Sequence, residues 1–551
     1  MNALTIASKE QFFEQLADAF TDKLAKTEAK KVTEFARQHY AHIPLEELVS
    51  RRFSDTYGAV LAAWQFLQKR DAEETPVAVF NPELESDGWQ STHTVIFILH
   101  PNMPFLIDSL RMAINRRDIG THSLQHSIFQ VERDTSGKLK KLFPNPAKKA
   151  SERAGFEAFI VLEIDRHSDP KDLRSLEEEL QAVLHEVRIA VGDFGVMQDR
   201  VREICKELEG TTAGISKDDR EEAQAFLKWM ADDHFTFLGY DEYDFVSDKS
   251  GMEVRRVDNS ELGILRVNNE RSDKVRLNEL PQRTRHEMTR TDDVFIFAKS
   301  AQRSRVHRPA YPDYIAVKKF DSKGEVVGER RFLGLYTARV YNERPVEIPL
   351  LRRKSRAVME RSGFLADDYA GRELEQILTL YPRDELFQIE SNELLKVAKS
   401  ILYIQERRRI ELFMREDVYG QFVTCLAFFP RDIYNTELRL KVERVLIEEL
   451  EAEDIEFVTH FSESVLARVQ FTIRVPQMEN REVPVAKIRN RVIELAQSWR
   501  DGLSEALSEA YGEEQGNELY RIWGSGFPAS YKDMFSARRA AIDLDLSLIH
   551  I

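Results

Sequence analysis

The sequence predicts a multidomain protein of the α+β class. Three observations lead there. Unbroken or alternating apolar runs of strand length occur at 95–99, 156–164 and 425–429. Apolar stripes at three- and four-residue spacing occur in Leu106, Leu110, Ala113 and Ile114, and again in Leu438, Val442, Val445, Leu446 and Leu450. The two kinds of segment interleave, so helices and strands share domains. A length of 551 residues suggests about three or four of them.

Residues 1–75 read as a helical N-terminal segment, with Phe12, Phe13, Leu16 and Phe20 at helical spacing. Residues 76–210 read as a small α/β unit. Thr94–Leu99 is a buried strand, and His100–Met103 a tight loop. Pro104 is placed at the first helical position, where its missing N–H is harmless. Ser123–Val131 is a second strand. Phe156–Ile164 is a third, with Phe156, Ala158, Ile160, Leu162 and Ile164 alternating against Glu157 and Glu163. A helix from about Pro170 to Ala190 follows. This order is most of a ferredoxin-like βαββαβ unit, with its last strand unplaced. Residues 211–400 read as one mixed domain with an antiparallel sheet. Residues 401–482 give ββαββ, a second ferredoxin-like unit, with Asn435 or Thr436 capping its helix. Residues 483–551 form a helical segment, including a long helix over Pro484–Tyr511. The final stretch Asp545–Ile551 resembles no domain end and points to a truncated frame.

The middle domain holds the most legible element. Tyr314–Phe320 is a strand with Ile315 and Val317 on one face. Asp321–Gly324 supplies the turn, Asp first and Gly last. Glu325–Tyr341 returns, with Phe332, Gly334 and Tyr336 on one face and Leu333 and Leu335 on the other. Nine basic residues lie in or beside this hairpin: Lys299, Arg303, Arg305, His307, Arg308, Lys318, Lys319, Arg330 and Arg331. They are either a solvated rim or a site for an anion or an acidic partner. As an anion or interface patch the residues are Arg303, Arg305, His307, Arg308, Arg330 and Arg331.

A net charge of −15 disfavours nucleic acid as the main partner. Cys205 and Cys425 lie far apart, which excludes a disulfide framework or a cysteine zinc cluster and suits a reducing compartment. The longest apolar runs are far too short to span a bilayer. No metal ligand is assigned, because His122 and His126 lack a third partner. No G-x-G-x-x-G turn occurs, and Gly524-Ser525-Gly526 follows no strand. The lysines sit among charged residues on apparent surfaces. No catalytic and no cofactor-binding residue is therefore named.

Several stretches carry a resemblance. They are HPNMPFLIDSLRMAINRRDIG at 100–120, ADDHFTFLGYDEYDF at 231–245, VHRPAYPDYIAVKKFDSKGEVVGERRFLGLYT at 306–337, YPRDELFQI at 381–389 and ERRRIELFMREDVYGQFVTCLAFFPRDIYNTELR at 406–439. In this order they resemble the large-subunit NAD-specific glutamate dehydrogenases of bacteria. The resemblance implies that both ferredoxin-like units are ACT-type domains. It implies a cytoplasmic homo-oligomer that catabolises L-glutamate with NAD, giving 2-oxoglutarate, ammonium and NADH. It also implies that this chain is the N-terminal regulatory and oligomerising region. The catalytic domain that binds NAD would lie outside it, and this chain alone would be inactive. A stand-alone ACT-type amino-acid sensor or scaffold is the alternative.

ACT-type units hold amino acids at strand-to-helix loops, which makes Asn102, Asp108 and Ser109 the candidate effector contacts. A plain helix cap, with Asp108 favouring the dipole, explains the same residues. Tyr381–Glu385 is expected to be a domain joint, with Arg383 paired to Asp384 or Glu385. Glu406–Arg409 is expected to form salt bridges.

Overall fold

The structure is a computed structural model. It describes residues 8–550 apart from 72–73, 145–153, 211–213, 249–250, 268–273, 366, 405–406, 408, 462–463, 477–481, 497–498, 529–530 and 532–533. Glu406 and Arg408 of the expected salt-bridge run thus lie outside the described residues.

The first sheet runs in the order Val77–Phe80, Thr94–Pro101, Gly155–Ile164, Thr121–Arg133, Leu139–Leu142, antiparallel throughout. The unplaced strand of the unit is Val77–Phe80. It lies beside Thr94–Pro101, on the flank that the last strand of a βαββαβ unit takes, yet it comes first in the chain. The second unit repeats the device. Its order is Glu411–Glu416, Phe422–Pro430, Leu466–Arg474, Asp454–Phe461, so the leading strand again fills the closing position. Both units share the permuted core ββαββα, to which the first adds the strand Leu139–Leu142, and Asn435 Oδ1 accepts from the Leu438 amide at the start of the second unit's helix.

Two layers of helices enclose the first sheet. Leu106, Leu110, Leu180 and Leu184 pack on Ile96, Ile98, Ile160 and Leu162. On the other face, Phe12, Phe35 and Trp64 of the N-terminal helices pack on Phe97, Phe129 and Phe159. The sequence treats one face of strand 155–164 as polar, and the structure differs. Glu157 and Glu163 are buried, while Phe156 is 57% exposed. The N-terminal helices remove that face from water, and Glu157 survives there because Arg70 and Arg133 both bind it, at 2.9 and 2.6 Å.

The middle sheet runs Phe295–Lys299, Asp313–Phe320, Val326–Tyr336, Phe235–Asp248, Gly251–Arg256, Lys274–Arg276, with Leu262–Gly263 beside Phe235–Asp248. Asp321 Oδ1 accepts the amides of Lys323 and Glu325 in the hairpin turn, and Gly324 takes a left-handed φ of 87°. Ile315, Val317, Phe332 and Tyr336 face a core shared with the helices that follow. Tyr314, Leu333 and Leu335 face the other way, into the core of the first unit. The return strand stops at Tyr336, not Tyr341. A short helix, Ala338–Asn342, begins after Thr337, whose hydroxyl donates to the Asp233 carbonyl.

Three helix expectations need correction. The helix from Pro170 continues to Gly210, 41 residues and about 60 Å. Its first half belongs to the first unit through Leu176–Ala190, and its second half, Met197–Leu208, enters the core of the middle domain. Pro104 precedes its helix, which starts at Leu106 after Phe105 turns to φ 71°. The helix before the second unit, for which the sequence pattern predicts Asn392–Arg409, runs over Ser391–Ile404. Helices Leu351–Ser362, Tyr369–Leu380 and Arg383–Gln388 join the middle core, and the C-terminal helices form their own around Leu503, Leu507 and Leu519. Among the described residues no helix is long and apolar enough to cross a membrane.

Candidate functional site

The loop Ser300–Pro312 sits where three units meet. It leaves strand Phe295–Lys299 and folds back on itself. The Ser300 amide donates to the Pro312 carbonyl at 2.8 Å, the Ser304 amide to Ala310 at 2.9 Å, and the Ser304 hydroxyl to Val306 at 2.6 Å. With these backbone groups satisfied within the loop, several of its side chains are free to reach other units. Arg303 reaches the second unit, donating to Asp454 at 2.7 Å and pairing with Glu456. Arg305 reaches the long helix and donates to the buried Glu186 at 2.9 Å. His307 reaches the first unit: its amide donates to Ser109 Oγ at 3.1 Å, and its ring lies 4.7 Å from that of Phe105. Arg308 turns inward to the Tyr336 carbonyl at 2.9 Å.

The expected effector loop and part of the basic patch are therefore one contact. Ser109 is fully buried against His307, while Asn102 and Asp108 remain exposed. The backbone N–H of Asn102 donates to Phe156. Arg330 and Arg331 lie elsewhere, on the sheet. Arg330 donates to Glu207 of the long helix at 2.7 Å. Arg331 pairs with the fully buried Glu329 and stacks on Tyr243, 3.9 Å from the ring centre. Burial alone would depress its guanidinium, but Glu329 and the surrounding tyrosines hold it well above its ordinary value.

Sequence reasoning missed the buried cations. Lys318 is 2% exposed and donates to the Arg290 carbonyl at 2.8 Å, and burial draws its ammonium down to about 8. Lys354 donates to the carbonyls of Leu386, Phe387 and Ile389, and burial draws it to about 8 as well. All three of its N–H donors are occupied. Lys299 sits between Asp313 at 2.9 Å and Asp384 at 3.1 Å. Burial opposes its charge, and the two carboxylates outweigh that and hold it protonated. These lysines are not surface groups, and each is engaged by fixed acceptors.

The joint at 381–385 is also built differently from the local pairing expected. Asp384 goes to Lys299, Glu385 binds Arg415 at 2.7 Å, and Arg383 donates, among the described residues, to the carbonyls of Tyr381, Glu343 and Thr379. Adjacent helical side chains point apart, which is why neighbours in sequence choose distant partners. The signal that was available is cross-strand: Lys299 and Asp313 are directly opposed in the register of their strands. Among the described residues no three His, Cys, Asp or Glu side chains gather as metal ligands. What the arrangement does chemically is to join units through fixed ion pairs.

Comparisons with known proteins match this layout. Residues 35–180 match the profile described as glutamate dehydrogenase, ACT1 domain, and 411–500 that of the ACT2 domain. Residues 348–407 and 506–546 match helical motifs 1 and 2 of the same group. The ACT1 match begins inside the N-terminal helices, which the structure packs on the sheet. An NAD-specific glutamate dehydrogenase of Halomonas elongata is 44% identical over 531 residues, 96% of this chain and 33% of the relative. The Pseudomonas aeruginosa protein of that name is 41% identical over 99% of this chain and 33% of its own length. The Mycobacterium tuberculosis one is 28% identical over 88% of this chain and 29% of its own. The chain thus spans about a third of the length of the curated relatives it matches.

Proposed function

The chain belongs to the bacterial NAD-specific glutamate dehydrogenases that contain ACT domains, and from that premise we propose that it is the regulatory and oligomerising region of such an enzyme. The whole enzyme would oxidise L-glutamate with NAD and water to 2-oxoglutarate, ammonium and NADH in the cytoplasm. NAD and substrate would be handled by a catalytic domain elsewhere in the subunit, and the units described above would set how subunits assemble and respond to a small amino-acid effector.

The observation that carries this reading is the outer edge of the second unit. Strand Asp454–Phe461 ends its sheet and exposes Phe457 at 44%, Val458 at 67% and Phe461 at 57%. An edge strand with unpaired backbone groups and apolar side chains is a template for a second chain. Antiparallel sheets throughout the described residues, and a sequence without a dinucleotide-binding turn, support the same division of labour.

Light scattering and an absorbance assay test it together. The purified chain should self-associate, the double change Val458→Asp and Phe461→Asp should lower its mass, and no glutamate-dependent NADH should form. A wild-type chain that stays monomeric at every concentration, or NAD reduction that disappears on boiling, overturns the reading.

A further inference from the structure

A cavity of about 470 Å³ opens where the end of helix Tyr369–Leu380 faces strands Asp454–Phe461 and Leu466–Arg474 of the second unit. Arg308, Arg383 and Arg468 line it. Arg383 is 4% exposed and donates to the carbonyls of Thr379 and Tyr381 at 2.8 Å each and of Glu343 at 2.9 Å. Its Nε is buried with no acceptor. Arg468 donates to the Leu380 carbonyl, so two guanidiniums converge on the last carbonyls of one helix. Arg308 donates to the Tyr336 carbonyl through Nη2, and its Nε is likewise buried without an acceptor.

The cavity lining carries one positive charge in excess, with Lys299, Arg308, Arg383 and Arg468 set against Asp313, Asp384 and Glu456. A helix C-terminus carries about half a unit of negative charge. Arg383 and Arg468 bring two full positive charges to it. Among the described residues no carboxylate forms an ion pair with Arg383, Arg468 or Arg308. The acids nearby are shared: Asp313 and Asp384 both hold Lys299, Asp454 and Glu456 both hold Arg303, and Arg308 lies within electrostatic reach of Asp313 and Glu456. Burial, with Arg383 beside it, draws the Arg468 guanidinium down to about 10, the direction expected when a cation loses water without gaining a counter-charge. Arg383 spends both Nη2 hydrogens on carbonyls, so the two-donor edge left for a two-oxygen anion is that of Arg308, whose Nη2 has one carbonyl partner and whose Nε has none.

We propose that this cavity is a binding site for a small doubly charged oxyanion, inorganic phosphate or a dicarboxylate, held by Arg468, Arg383 and Arg308. The anion would offset the excess positive charge of the lining and tie helix Tyr369–Leu380 to the second unit. The inference concerns this chain alone and does not rest on the dehydrogenase reading, which the assembly and turnover assays test separately.

Calorimetric titration of the purified chain in a chloride buffer tests it, with inorganic phosphate in one arm, malonate in a second and acetate as the singly charged control. One of the dianions should bind at a single site about tenfold more tightly than acetate, and the tighter arm identifies the chemistry. Arg468→Gln should weaken that binding by about tenfold, while Arg330→Gln, on the far sheet, should leave it unchanged. If neither dianion exceeds acetate, or if Arg468→Gln binds as wild type does, the proposal falls. Should Arg468→Gln not fold by circular dichroism, Arg468→Lys keeps the charge and removes the fork, and unaltered binding there overturns the proposal equally.

Discussion

The Ser109 hydroxyl accepts the amide hydrogen of His307, 198 residues further along, with both partners at the seam between the first unit and the middle domain. His307 takes a left-handed φ of 73° to present that amide. A non-glycine residue costs on the order of 1–3 kcal/mol there, and the surrounding contacts hold it in place.

Ser109→Ala should therefore leave a buried N–H without a partner and lower stability by about 1–3 kcal/mol. Hydrogen exchange at the His307 amide reads it directly. Exchange as slow as in the wild type would show that the bond does not hold the seam.

Acid should weaken the N-terminal layer through His39. Its ring is buried, 2.9 Å from Ser127 Oγ and stacked on Phe35. Burial lowers its pKa from 6.5 to about 3. The folded pKa lies below the unfolded one, so the unfolded chain takes up the proton first. Stability is intact above pH 6.5 and is lost as pH falls toward 3, by an amount on the order of a few kcal/mol. His39→Gln should flatten that slope in denaturant titrations at several pH values, and an identical slope would assign it to other groups.

The buried ion pairs and those at the junction should differ in size. Glu157→Gln strands two guanidiniums, Arg70 and Arg133, and should cost about 3–5 kcal/mol in urea unfolding. Arg303 is more than a third exposed, so Arg303→Gln should cost about 0–1 kcal/mol despite its two carboxylate partners. Equal losses would contradict the burial argument.

Gly192 and Gly195 sit inside the long helix with open space where a Cβ would project. Alanine at either position should raise stability by up to about 1 kcal/mol, seen as a higher Tm. A lower Tm would mean that the helix needs to bend there.

Those glycines also explain one limit of the sequence. The sequence pattern stops this helix at about Ala190, just before Gly192, yet packing on two domains carries it through to Gly210. The hairpin was legible because its Asp321–Gly324 turn and the opposed faces of Phe332 and Leu333 are local signals. Val77–Phe80 was not, since four residues carry too little periodicity to announce a strand. Of the site, the segment 303–308 was visible as a run of charge, but its partners Glu186, Asp454 and Ser109 come from three other elements. Lys299 and Asp384 are 85 positions apart, and only the fold brings them within 3.1 Å.

The leading strand of each permuted unit bears on how the chain is made. In a βαββαβ order the closing strand is the last to leave the ribosome, and the first strand waits with one flank bare. Here Val77–Phe80 and Glu411–Glu416 emerge ahead of the strands they protect. When Thr94–Pro101 or Phe422–Pro430 appears, its outer neighbour is already waiting as a hairpin partner. Each sheet thus grows from a finished border inward, and the most apolar strand of each unit never meets the cell with that side open.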